Sequence, residues 1–203
     1  MEIQEYFNEK KKFYDAILLF IEDSNCFSGS SNEIYNIIKK QNFQKNEETL
    51  HDFLRLLVNV SNNHHRQPNF FAKIEGIILY LQKDIKDSLS NSQIFDIFVS
   101  NKNILLFLLK NNILEFDEYV FNSLLFRTDR NGTRICHIFL PEIKKFINEN
   151  DLKIDGNFLS EPDSNILENY DEKRQNGEND SVICTLIRND SIEDFVIYVN
   201  KYN

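Results

Sequence analysis

The sequence predicts an all-α fold: an array of short antiparallel helices, stacked as an α-solenoid. Three observations predict it. Apolar residues recur at helical spacing along almost the whole chain, and no stretch alternates with period two for long enough to set up a sheet. Helix-start signatures precede several of the apolar stripes. One pattern also occurs twice, as IFDIFVSNKNILLFLL from Ile94 to Leu109 and as VICTLIRNDSIEDFVI from Val182 to Ile197. Ile94, Phe98, Val99, Ile104 and Phe107 match Val182, Leu186, Ile187, Ile192 and Phe195 across the polar break in each copy. Such a helix-turn-helix unit buries one face only when it stacks on a neighbour.

The elements follow in order. Phe13, Ile17, Phe20 and Ile21 share one face of a first helix, with Tyr6 further back. Ser30-Ser31-Asn32-Glu33 reads as a capping box opening a second helix that carries Ile34, Ile37 and Ile38. Asn46 is placed to cap a third helix, and Glu47 and Glu48 put negative charge at the positive end of its dipole. That helix presents Leu50, Phe53, Leu54, Leu57 and Val60. Pro68 suits a first helical position and leads the cleanest stripe: Phe70 or Phe71, Ile74, Ile77, Ile78, Leu81 and Ile85. Ser90-Asn91-Ser92-Gln93 is a second capping box, at the start of the first copy of the repeated pattern.

Further on, a helix is expected around Glu115 to Phe126, carrying Phe116, Tyr119, Val120 and Leu124. Asn131-Gly132 marks a turn, and Pro141 opens a short helix with Ile143, Phe146 and Ile147. From Asp151 to Asp180 glycine, proline and polar residues interrupt the periodicity, leaving one short helical turn near Ile166 and Leu167. Asp190 and Glu193 then stand at the cap and box positions of the last helix. The expected organisation is a helical domain over 1–150, a polar linker over 151–180 and a helix-turn-helix unit over 181–203.

Composition narrows the function classes. With 203 residues, 18 of them Phe, the chain can bury one substantial core and is too aromatic for a disordered protein. Its net charge of −9 works against binding nucleic acid, which needs clustered cations. The densest cationic run, Lys10-Lys11-Lys12, is flanked by Glu5, Glu9 and Asp15 and reads as a solvated helix face. Cys26, Cys136 and Cys184 are odd in number and far apart, as thiols in a reducing compartment would be. The longest apolar runs, Ala16 to Ile21 and Ile104 to Leu109, are far shorter than the roughly 20 residues that cross a bilayer. A cytoplasmic location without a membrane partner is the expectation.

Three segments carry a resemblance: Ser61 to Ile74 (SNNHHRQPNFFAKI), Ser100 to Leu108 (SNKNILLFL) and Gly177 to Asn203. Together they resemble the N-terminal region of large protist families of ankyrin-repeat proteins, a domain of unknown function that precedes the ankyrin array. The likeness runs from about His51 onward, and His64-His65-Arg66 is its most specific part. It implies that Val182 to Asn203 is the helix pair at which ankyrin-like stacking begins. Such proteins continue beyond the position of Asn203 into many repeats. The resemblance supplies no catalytic residue.

Candidate chemistry is sparse. His64 and His65 could approach a metal with His51 or with Cys136 and His137, but adjacent helical residues point about 100° apart and seldom serve one ion. Helix-end capping by the histidines, with Arg66 paired to a carboxylate, is the better reading; no metal or cofactor is expected. Arg130 and His137 fit the loose spacing of small all-helical ribonucleases, where such a pair stabilises charge and moves protons on a phosphodiester. Asn131-Gly132 interrupts the helix that would mount them. Asp151, Asp155 and Gly156 suggest a calcium loop, yet Lys153 takes a ligand position and Pro162 stands where the bidentate Glu belongs.

The expected function is therefore a non-catalytic scaffold module, an N-terminal cap of an ankyrin-type solenoid acting through protein–protein contacts with an unidentified partner. Its docking face would be the outer side of Ile192, Phe195, Val196 and Val199. A small helical ribonuclease using Arg130 and His137 is the alternative.

Overall fold

The computed structural model describes residues 3–23, 31–63, 68–126, 138–152 and 191–202. Among them the regular elements are helical throughout, and the all-α class holds. In chain order they are α1 (Ile3–Glu22), α2 (Ser31–Lys40), a 3-10 turn (Phe43–Lys45), α3 (Glu47–Asn63), α4 (Pro68–Tyr80) and α5 (Gln82–Ser88). Then come α6 (Asn91–Phe98), α7 (Lys102–Lys110), α8 (Glu118–Phe126), α9 (Leu140–Glu149) and α10 (Ile192–Tyr202). Packing divides the chain into two units, Met1–Val120 and Phe121–Asn203.

In the first unit α3 is the central helix. Asn46 accepts from the Thr49 amide at 3.1 Å, so the cap read in the sequence is formed. Leu50, Phe53, Leu54, Leu57, Val58 and Val60 are buried, and α3 packs on α4, on α6 and on the 3-10 turn. Helix α1 packs on α2 and α4 through Phe13, Ile17, Phe20 and Ile21. Three phenylalanines join these layers. The Phe43 ring stacks on Phe53 at 5.4 Å, and Phe13 meets both, Phe53 at 5.1 Å and Phe43 edge-on at 6.4 Å. Burying each ring contributes about 1.5–3 kcal/mol, and each well-placed pair about 0.5–1.5 kcal/mol more.

The stripe from Phe70 to Ile85 is buried at each expected position, with Phe70 rather than Phe71 turned fully inward. It is interrupted at Leu81, where α4 gives way to α5. Backbone bonds still bridge the joint, from the Leu81 amide to Ile77 and from the Ile85 amide to Leu81. The capping box at Ser90 is present in full: its hydroxyl accepts from the Gln93 amide, and the Gln93 side chain accepts from the Ser90 amide.

Helix ends use a device that the sequence reading did not single out. Asn42, Asn112 and Asp151 all lie in the left-handed region, with φ of 50°, 54° and 50°. Each follows a helix by two residues, where glycine is the usual occupant. After α7 the motif is complete: the Ile113 amide reaches the Leu108 carbonyl at 2.9 Å, and the Asn112 amide reaches Leu109 at 3.1 Å.

Helix α8 begins three residues later than the periodicity suggested. Asn91 grips the backbone of Glu115, donating to its carbonyl and accepting from its amide, both at 2.9 Å. Asp117 then accepts from the Val120 amide and starts the helix there. Tyr119 is turned outward, its ring edge on Phe95 and its hydroxyl donating to Asp96.

In the second unit Pro141 stands at the start of α9, as expected. Leu140 and Ile143 are buried, and Phe146 packs on Phe121 with centroids 4.9 Å apart. Ser30 of the first capping box, the Asn131-Gly132 turn, Asp190, and residues 153–180 of the polar linker lie outside the described residues.

Candidate interaction surface

Buried polar side chains are where reactive chemistry would be sought first. Among the described residues they are Thr49, Ser61, Lys73 and Asn101. Thr49 lies in the first turn of α3, where its amide is capped. Lys73, on α4, donates to the carbonyls of Phe20 at 2.7 Å and Asp23, with a longer bond to Ile21. Its ammonium also lies 5.0 Å from the centre of the Phe20 ring. It thereby occupies the negative end of α1 and satisfies carbonyls that the helix leaves open.

Asn101 does the equivalent between α3 and α7. Its side-chain oxygen accepts from the Ile104 amide at 3.0 Å and caps α7, while its nitrogen donates to Ser61 at 2.9 Å and Asn62 at 2.8 Å. Both polar centres are taken up in joining helices. Glu75 on α4 is half-buried; burial pushes its carboxyl above the ordinary value, and nearby Lys110 partly offsets that.

Among the described residues no group of three or more His, Cys, Asp or Glu side chains could hold a metal ion. His51 is half-buried on α3. His64, His65, Arg66, Arg130, Cys136 and His137 lie outside the described residues, as do Lys153, Asp155, Gly156 and Pro162. Asp151 serves as the left-handed residue after α9. None of the described helices is long and apolar enough to cross a membrane.

Among the described residues, the most exposed aliphatic cluster within one helix is on α10. Ile192 is 68% exposed, Ile197 65% and Val196 49%. Phe195 and Val199 are half-buried; on the helical repeat Val199 adjoins Ile192, about 20° away, and Phe195 lies about 60° from it. The four residues singled out from the sequence therefore divide: Ile192 and Val196 face solvent, Phe195 and Val199 less so. Ile197 was missed. At about 100° per residue it falls roughly 140° from Ile192, off the stripe that spacing alone picks out.

The repeated pattern supplies an internal comparison. Ile104 and Leu108 on α7 hold the places of Ile192 and Val196 on α10, and both are 0% exposed. These two matched positions are thus covered in the first copy and open in the second. The chain matches no protein-family model, no curated protein and no solved structure.

Proposed function

We propose that the chain is a non-catalytic interaction module whose terminal helix α10 docks a protein partner. The observation that carries this reading is the exposure of Ile192, Val196 and Ile197 on a folded helix. Apolar surface of this kind costs free energy in water, about 25 cal/mol per Å², and is retained where association covers it. The uses found for Lys73 and Asn101 support a scaffold role, because each holds helix ends together.

The finer reading is that the helices form stacked antiparallel pairs, and that 181–203 is the unit at which an ankyrin-type array would begin. It rests on the repeated pattern and on the resemblance of Ser61 to Ile74, Ser100 to Leu108 and Gly177 to Asn203. A cytoplasmic setting belongs to the same proposal, from the widely spaced cysteines.

Photo-crosslinking tests it. A benzoylphenylalanine at Ile197 is expected to give a discrete protein adduct in cell extract, absent when the same group replaces Lys39 on α2 and reduced when Ile192 and Val196 become Ser. Absence of an adduct at Ile197, together with RNA cleavage by the parent chain that His137→Ala abolishes, would replace this reading with the ribonuclease one.

A further inference from the structure

We infer that the exposed face of α10 receives a cationic amphipathic helix of its partner, an inference that rests on the interaction-module reading above. Two observations point to that chemistry. The first is the geometry of the face. At about 100° per residue, Ile192 and Val196 lie about 40° apart, Glu193 and Ile197 follow within about 140°, and Asp194 closes the arc near 200°. All five are exposed. The open side of the helix is thus an aliphatic pair one turn apart, with carboxylates set between and beyond the aliphatic residues. A partner helix covers such a pair with two apolar anchors of its own at i and i+4.

The second observation is where the charge sits. From Asp155 to Asp194 the chain carries eleven acidic and three basic residues, a net of −8 within the total of −9. The remainder of the molecule is close to neutral. Nearly all of the chain's net negative charge therefore falls in the sequence that leads into α10, and the helix's own Glu193 and Asp194, exposed beside the aliphatic residues, attract a positively charged partner. The same carboxylates repel nucleic acid and anionic lipid surfaces. Polar and apolar recognition coincide on Ile192, Glu193, Asp194, Val196 and Ile197. The 11 residues of α10 offer about three turns, enough for a partner helix of similar length.

The test uses the full 203-residue chain and two labelled synthetic helices with the same leucine stripe, one rimmed with lysine and the other with glutamate. Fluorescence anisotropy is expected to show saturable binding of the lysine helix, tighter than the glutamate helix by about tenfold or more. Ile192→Ser with Val196→Ser should weaken it about tenfold. Glu193→Lys with Asp194→Lys should weaken it similarly and narrow the gap between the two helices. All variants should keep the parent's circular dichroism and Tm. Equal affinity for both helices, no saturable binding, or indifference to the serine pair would overturn the inference. So would a concentration-dependent dimer that the serine pair dissolves, which would make a second copy of the chain the occupant. If the lysine helix fails while the Ile197 adduct persists, only the partner's chemistry is wrong; if both fail, the docking reading falls with it.

Discussion

The Lys73 ammonium donates to the Phe20 carbonyl at 2.7 Å and rests 5.0 Å from the centre of the same residue's ring. The two residues stand 53 apart in the chain, so this contact pins the end of α1 to the flank of α4. Lys73→Met keeps the length and apolar stem but strands the carbonyls. It is expected to cost about 2–3 kcal/mol in urea unfolding, with the loss concentrated in hydrogen-exchange protection of the last turn of α1. An unchanged midpoint would show that water satisfies those carbonyls equally well.

The left-handed Asn112 gives a prediction of opposite sign. Asn112→Gly removes the steric cost of a side chain at φ 54° and should raise stability by a few tenths of a kcal/mol, up to about 1. Asn112→Ala should lower it by about 1 kcal/mol. The Lys86 ammonium donates to the backbone carbonyl of Asn112, so that bond survives both changes. Thermal melts of the pair distinguish the two directions.

Glu75 sets a pH dependence. Burial raises its carboxyl above the ordinary 4.5, so in the window just above that value the folded chain holds more protons than the unfolded one. Stability due to this group is therefore greatest in acid and falls as pH rises through the folded pKa. Glu75→Gln should gain on the parent as pH rises towards neutrality, the difference vanishing in acid. Lys110→Met removes the cation that counters the shift and should steepen the parent's decline. Urea midpoints measured across pH for the three chains provide the check.

The repeated pattern predicts a contrast between matched positions. Ile104→Ser places a hydroxyl and a void at a fully buried site and should cost about 3–4 kcal/mol. Ile192→Ser, at the matching place on α10, should change stability by less than about 0.5 kcal/mol. Equal losses at the two sites would mean that the α10 face is covered in solution.

What the sequence disclosed was local. Asn46 and Ser90 with Gln93 announce helix starts through bonds that reach three residues, Pro68 and Pro141 through a fixed φ and a missing amide, and the stripes from Phe13 to Ile85 follow from the helical repeat. Contacts between distant residues were not legible. Nothing near Lys73 in the chain points to Phe20, and nothing near Asn101 points to Ser61, 40 residues away. The onset of α8 shifted for the same reason, because Asn91 holds Glu115 from another helix. Of the candidate surface, Ile192 and Val196 could be read from spacing, whereas the exposure of Ile197 depends on which flank of α10 the rest of its unit shields.

The Tyr35 ring lies on that of Tyr80, centroids 4.6 Å apart and planes 25° from parallel, and a Cβ added to Gly76 would meet the Tyr35 hydroxyl at 3.2 Å. The chain contains no tryptophan, so tyrosine emission goes unmasked by indole. With the other six tyrosines changed to Phe, this stacked pair becomes an optical gauge of the seam between α2 and α4. A bulky residue at 76 would pry the rings apart, and the change could be followed by light alone without attaching a dye.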